Sequence, residues 1–388
     1  MLTSKSIIII GAGIGGLSAA RIFAQRGADV TVLEQAEAIT EVGAGLQISP
    51  NGFAVLDAMG LGERVARCSV QAEAVSLRDY RKGEVLRMPV NTDAPGAYHF
   101  LHRADLIELL AEGAREVGVK IRLLQRAVSV DPGTPATVHL ANGARLSADL
   151  VIGADGLHSV VRPLLTPTPK PFFTGQVAWR AIVPNTTGQP NEVRLFMGPH
   201  RHVVLYPLRG GHFLNVVAVQ ERKSWVEEGW SIKADADDLR RDFADFEPQV
   251  QAVLAQIGKV HQWGLFRHKV AQVWHRPGVA MLGDAAHPTL PFMAQGANMA
   301  LEDAWVLGDS VGRSNDLDAA LAKYQQRRYA RVCRVIEAAN GNAWKYHLAF
   351  APLRFVAHLG LRLMGRMSAG RIQRQFDWLY NHDVTRDP

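Results

Sequence analysis

The sequence predicts an α/β protein with a Rossmann-like parallel sheet, an inserted antiparallel-sheet domain and a helical C-terminal region. Three observations predict it. The run Ser6–Ile10 is continuous, β-branched and closed by a glycine cluster, the signature of a strand buried on both faces. An apolar run closed by glycine plus an acid returns at 149–156 and again at 279–284. Between these, residues 177–219 alternate apolar and polar side chains with the period of a half-buried strand.

The first strand leads into Gly11-Ala-Gly13-Ile-Gly15-Gly16. Leu17, Ala20, Ile22, Phe23 and Ala24 then recur at a spacing that gives a helix one apolar stripe. Gly27 closes that helix and Asp29–Leu33 reads as a second strand, with Glu34 at its end, 23 positions past Gly11. Each residue type has a physical task. Gly11 permits the tight turn, Gly13 lets the backbone approach a pyrophosphate, and Gly16 lets helix and strand pack closely. The helix N-terminus supplies N–H donors and the positive end of a dipole. Glu34, with Gln35 beside it, is placed to accept from a ribose hydroxyl, whereas a 2′-phosphate would meet a like charge. That favours FAD or NAD over a phosphorylated dinucleotide, without choosing between them.

The second motif is Asp149-Leu-Val-Ile-Gly-Ala-Asp155-Gly156, continuing to Ser159 and Arg162; the third is Val279-Ala-Met-Leu-Gly283-Asp284-Ala-Ala-His287-Pro288. Ligands of open α/β sheets bind beyond the carboxyl ends of the strands, so three such ends would converge on one elongated ligand. After the third, Pro288 and Pro291 hold the approach extended, and Gln295-Gly296-Ala297-Asn298 opens a helix carrying Met299, Ala300, Ala304, Trp305 and Leu307. A helix N-terminus aimed at an isoalloxazine ring would stabilise the negative charge gained on reduction.

In this order and spacing, the 11–16, 155–156 and 283–284 motifs resemble the single-component FAD aromatic monooxygenases, the p-hydroxybenzoate-hydroxylase-like family. Gly43-Ala-Gly45-Leu46-Gln47-Ile-Ser-Pro50-Asn51-Gly52 and the 283–303 segment look most like the salicylate and 3-hydroxybenzoate hydroxylases. The resemblance implies non-covalent FAD, reduction by NADH or NADPH, and capture of O2 as a flavin C4a-hydroperoxide that hydroxylates a small phenolic acid. The lack of a second GxGxxG agrees, because the family has no separate nicotinamide domain. It also implies site roles: Glu34 at the adenosine ribose, Asp284 at the ribityl chain, Arg103 reaching the FAD, and Asp155 organising the cofactor. Gly45, Leu46, Gly296, Ala297 and Asn298 would touch the isoalloxazine region through backbone groups.

The middle of the chain reads as the cover of that ring. Residues 177–183, Glu192–Gly198, 202–207 and 212–219 look like antiparallel strands, and 235–254 reads as one helix with Leu239, Phe243, Phe246 and Val250 on its apolar face. The boundaries that follow are an FAD-binding domain of residues 1–74, 99–176 and 269–342, a substrate domain of 75–98 and 177–268, and C-terminal helices at 343–388. His202 and Tyr206, four apart on a strand, share one face. A pair of half-buried sheet residues would show the same spacing, but in similar hydroxylases a His and a Tyr so separated line the ring pocket. Oxygen transfer is faster onto a phenolate than a phenol, which makes His202 the natural base, Tyr206 an orienting or relaying group, and Gln295 a hydrogen-bonding partner from the opposite side. Similar 6-hydroxynicotinate hydroxylases carry histidines at the positions of Gln47 and Gln295, so a benzenoid substrate is expected here. Arg180 is one candidate partner for a ring carboxylate, though a surface arginine at a strand edge explains it more simply.

Composition bounds the rest. With 388 residues, 47% apolar and 21% charged, the chain is neither disordered nor fibrous. Cys68 and Cys333 make no metal or disulfide pattern, and no signal or transmembrane run is present, so a cytoplasmic location is expected. The net charge of +6 is uneven: from Lys323 onward twelve basic residues face four acidic ones. That concentration argues against a nucleic-acid reading face. The 344–375 segment, with five arginines, reads as two amphipathic helices broken near Pro352, suited to core or homodimer packing, with a lipid surface as the alternative. The pairs His99/His102 and His200/His202 have no carboxylate or Cys at ligand spacing, so no metal site is expected. Two other readings stay open: an FAD-fold reductase or oxidase without oxygen insertion, and a non-catalytic FAD-binding partner protein.

Overall fold

A computed structural model describes residues 2–39, 44–90, 97–167, 169–222 and 233–387, with side chains described except at 233, 342–344 and 366–373. Gly43 of the glycine-rich segment and Met367 of the C-terminal segment lie outside those limits.

Six strands form the first sheet in the order His275–Arg276, Val279–Met281, Leu150–Gly153, Ser6–Ile10, Asp29–Leu33, Lys120–Arg122. All neighbours are parallel except the antiparallel edge strand His275–Arg276. The three glycine-ended strands are therefore direct neighbours, and their carboxyl ends lie side by side. Ile7, Ile9, Val151 and Ile152 are buried in one core with the Ile14–Gln25 helix and a three-stranded antiparallel sheet of Ala127–Asp131, Ala136–Leu140 and Arg145–Ala148, which is why these strands read as unbroken apolar runs. The Gly296–Gly312 helix packs in turn along Ile14–Gln25.

The second large sheet has eight strands in the order Lys233–Ala234, Val260–Arg267, Phe172–Pro184, Phe213–Glu221, Arg201–Leu208, Glu192–Gly198, Ala74–Asp79, Gly83–Pro89. Only Glu192–Gly198 with Ala74–Asp79 is a parallel pair. Alternation sorts the two faces. Phe196, Val203, Leu205 and Val216 pack outward with Leu239, Phe243 and Val250. The opposite face carries the row Leu77, Leu195, Val204, Val217, Arg180, which runs across five registered strands toward the first sheet.

Two expectations are corrected. Residues 235–254 form two short helices, Ala236–Asp242 and Pro248–Leu254. Pro248 cannot continue a helix from upstream but suits a first turn, so the chain breaks and restarts while the apolar face stays in the same core. The 344–375 segment is a 3-10 turn, Ala343–His347, followed by one helix, Ala351–Arg374, with Pro352 in its first turn. Phe350, Leu353, Phe355, Val356 and Leu359 are exposed there, so they form no part of the core. Among the described residues, no helix is long and apolar enough to cross a membrane, and no cluster of His, Cys, Asp or Glu has the makings of a metal site. Both cysteines are free.

Candidate functional site

The glycine turn separates into three distinct environments. Gly11 sits at φ +103°, a left-handed conformation that favours glycine. A Cβ on Gly16 would overlap the carbonyl oxygen of Gly11, so the helix touches the strand end there without room for a methyl group. A Cβ on Gly13 would meet nothing within 4 Å, because Gly13 faces open space. That space is two adjoining cavities of about 360 and 620 Å³. Gly13, Arg103, Ala154, Gly156, Arg180 and Asp284 line both, which makes them one elongated site beyond the carboxyl ends of the parallel strands.

The larger cavity is the dinucleotide end. Glu34 and Gln35 line it, and the Glu34 carboxylate accepts from the N–H of Ala12 and of Ala36, each at 2.9 Å, fixing the acid beside the glycine turn. Asp155 accepts from the N–H of Val160 at 2.8 Å and Val161 at 3.3 Å through Oδ2, while its Oδ1 is buried with no hydrogen-bond partner among the described residues. Asp284 opens onto both cavities and is accessible from them, and desolvation at the bottom of the site raises its pKa against the opposing pull of His287, Arg103 and His268. Burial likewise lowers the pKa of Arg103, with Asp284 acting against it.

The smaller cavity is the ring end. Gly45, Leu46, Gly296 and Ala297 line it from below. Gly296 and Ala297 open the Gly296–Gly312 helix, whose first intrahelical bond is from Met299 N–H to Gln295 O, so the preceding N–H groups and the positive end of the dipole face the cavity. From above come Val193, Leu195, Val204, Val217 and Val219, an apolar ceiling. His202 and Tyr206 are both buried and both line this cavity, as their spacing predicts. Burial holds His202 well below the usual histidine range, with His347 adding to the effect, and pushes the Tyr206 phenol up.

Three expectations change. Arg180 is no edge residue: its strand, Phe172–Pro184, lies between two others, and its guanidinium sits 5.1 Å from the Trp263 ring centroid at the junction of the cavities. Gln295 lines the ring cavity, but its amide is spent on protein: Nε2 donates to Ser49 Oγ at 3.0 Å and Oε1 accepts from Asn51 at 3.1 Å. It braces the loop, and what it retains for a ligand is one Oε1 lone pair. Asn298 lies behind the lining and ties helix to strand, accepting from Ser49 N–H at 3.1 Å and donating to Gln47 O at 3.1 Å.

Sequence reasoning passed over Tyr98, Tyr346, His347, Glu221 and Tyr380. Tyr98 donates to Gln47 Oε1 at 2.8 Å, and Tyr98, Tyr346 and Tyr380 add hydroxylated aromatic walls to the ring cavity. His347 lies 2.7 Å from His202 although 145 residues separate them. No local pattern marks such a partner; only the fold brings the C-terminal turn to the second sheet.

Residues 4–339 match the family model described as FAD binding domain. The chain is 35% identical over 361 residues to 3-amino-4-hydroxybenzoate 2-monooxygenase of Streptomyces cremeus, covering 89% of each. It is 33% identical over 392 residues to 3-hydroxybenzoate 6-hydroxylase of Polaromonas naphthalenivorans, covering 97% of this chain and 96% of the relative. Among solved structures, Klebsiella pneumoniae HpxO complexed with FAD and uric acid superposes with a TM-score of 0.83 at 28% identity, covering 96% of this chain and 95% of the other.

Proposed function

The chain belongs to the FAD-binding-domain family, and from that premise we propose that it is an FAD-dependent monooxygenase hydroxylating a small phenolic acid of the hydroxybenzoate class, with NADH or NADPH as reductant and O2 as oxygen source. The observation that carries this reading is the continuity of the two cavities: a dinucleotide cradle opens directly onto an aromatic-lined chamber holding His202, Tyr206 and Arg180. A silent binder has no use for such a chamber.

The residues fit FAD. Gly13 leaves open the space that a pyrophosphate needs, Glu34 faces the adenosine end, and the unpartnered Asp155 Oδ1 points to a polar group of the ligand. When bound, FAD supplies electron transfer from the nicotinamide and the activation of O2. The protein's own part is binding, orientation and proton handling. Arg103 and Arg180 are the lysine or arginine side chains among the described lining of the ring cavity. Arg180, at the junction, is placed to pair with a ring carboxylate. His202 accepts the phenol proton, enriching the ring positions that receive oxygen. Tyr206 orients the ring beside it, and the valine and leucine ceiling excludes water from the reacting face.

The test is purified yellow protein offered a panel of hydroxybenzoates with NADH and with NADPH. Reductant consumption stimulated by one of them, with a hydroxylated product, supports the proposal. Peroxide with no hydroxylated product across the panel leaves only the reductase or oxidase reading, and protein that takes up no flavin removes the family's chemistry altogether.

A further inference from the structure

His202 is 3% exposed and touches the ring cavity, yet a hydrogen-bonded chain connects it to solvent through the protein. His202 Nδ1 lies 2.7 Å from His347 Nε2. His347, 4% exposed, places its Nδ1 2.9 Å from Glu221 Oε1. The other Glu221 oxygen lies 2.6 Å from Nδ1 of His200, whose side chain is 62% exposed. We propose that His202, His347 and Glu221 form a proton conduit, ending at His200 on the surface, in which the carboxylate fixes both buried histidines in the tautomer that leaves a bare Nε2 on His202 facing the cavity. This deepens the function proposed above and rests on it.

The tautomer follows from donor and acceptor counting. An ionised carboxylate only accepts, so His347 Nδ1 carries the hydrogen facing Glu221. With His347 neutral, its one N–H faces Glu221, so its Nε2 accepts and His202 Nδ1 donates to it. His202 Nε2 is left with a lone pair and has no protein hydrogen-bond partner among the described residues. Gln176 Nε2 also approaches His347 Nδ1, at 3.4 Å; the shorter, charge-assisted contact to Glu221 decides the proton's place. Tyr346 and Phe292 are the other rings against His202, and neither brings a charge.

Two electrostatic features suit the role. The hydrogen bond from His347 holds the Glu221 carboxyl down at about 2, with His200 helping, so the acceptor is ionised at neutral pH. Burial keeps His202 neutral, so it hands a proton on instead of storing it. When a phenol gives its proton to His202 Nε2, the Nδ1 proton passes to His347 Nε2, the His347 Nδ1 proton passes to Glu221, and Glu221 discharges to water directly or through His200. One proton enters at the cavity and one leaves at the surface, and each histidine ends in its other tautomer until its ring proton exchanges back.

The experiment uses FAD-loaded protein with 15N-labelled histidine, the His202 signals being assigned by loss in His202→Asn. Wild type should show Nδ1–H and a bare Nε2 on His202. Glu221→Gln should turn this into a mixture of tautomers at unchanged flavin content, and Glu221→Asp should restore it. In stopped flow with a pH indicator, proton release on binding 4-nitrophenol should slow at least tenfold in Glu221→Gln and in His347→Gln. A protonated Nε2 on His202 in the wild type, or a tautomer that Glu221→Gln leaves unchanged, overturns the proposal; so does proton release at the wild-type rate in both variants. Failure of the hydroxylase reading looks different: no phenol in the panel is hydroxylated by wild-type protein, whatever its tautomers.

Discussion

Gly45 packs so tightly against Tyr206 that a Cβ at position 45 would lie 2.7 Å from the ring's Cε2 atom. The same Cβ would lie 2.8 Å from the Asn215 side chain, whose Oδ1 accepts from Gly45 N–H at 2.7 Å. The floor of the ring cavity is thus pressed against its wall by a contact between backbone and side chain that tolerates no added carbon.

Gly45→Ala is therefore expected to displace Tyr206 or the Gly45–Ile48 strand. Overpacking of this kind costs about 1–3 kcal/mol. Denaturant titration should show that loss, and ligand binding should weaken about tenfold by flavin fluorescence. Wild-type stability together with wild-type affinity would refute the contact.

Gly13 and Gly16 separate fold from cofactor. Gly16→Ala drives a methyl group into the Gly11 carbonyl and should lower the melting temperature of flavin-free protein. Gly13→Ala meets no protein atom, so flavin-free protein should melt as wild type while FAD affinity falls about tenfold or more. Equal effects of the two substitutions on melting would contradict this division.

Arg180→Gln removes a cation at the junction of the two cavities. Hydrogen-bonded charge pairs in enclosed sites are worth roughly 1.5–3 kcal/mol. KM for a hydroxybenzoate should rise about tenfold to a hundredfold, while binding of an uncharged phenol stays within about twofold. Equal losses for both ligands would move Arg180 from the substrate to the cofactor.

His99 gives a stability signal with a definite sign. Burial holds it at about 4, below the value near 6.5 of an unfolded histidine. Between those values the unfolded chain binds a proton that the native protein refuses. Stability is then fully present above about pH 6.5 and falls as pH drops toward 4, by up to about 1.4 kcal/mol per pH unit for this group. His202, also depressed by burial, adds in the same direction. The lowered carboxylates Asp79, Glu302 and Asp303, at about 2, lose their contribution only as pH falls from the ordinary carboxylate range toward that value. His99→Gln should flatten the slope between pH 6.5 and 5 by nearly one proton, and an unchanged slope would show that His99 titrates normally.

Much of the cofactor end is written in adjacent residues. The Ser6–Ile10 run, the glycines at 11, 13 and 16, and the acid at Glu34 are local because one turn must meet one phosphate group, and a turn is a local object. The two later strand ends are legible for the same reason, since each glycine–acid corner repeats that turn. The separation of His202 and Tyr206 is local too, because a strand alternates with a fixed period. Tertiary structure decided what lies opposite those residues. Arg180 reads as a surface arginine until two strands flank its own, and Gln295 reads as a ligand until Ser49 and Asn51 take up its amide. His347 enters the site from a 3-10 turn far along the chain, brought there by packing against the eight-stranded sheet. Periodicity fixes which way a side chain points, because the backbone repeat is local; hydrogen-bond partners are fixed by distance in space, which chain separation does not encode.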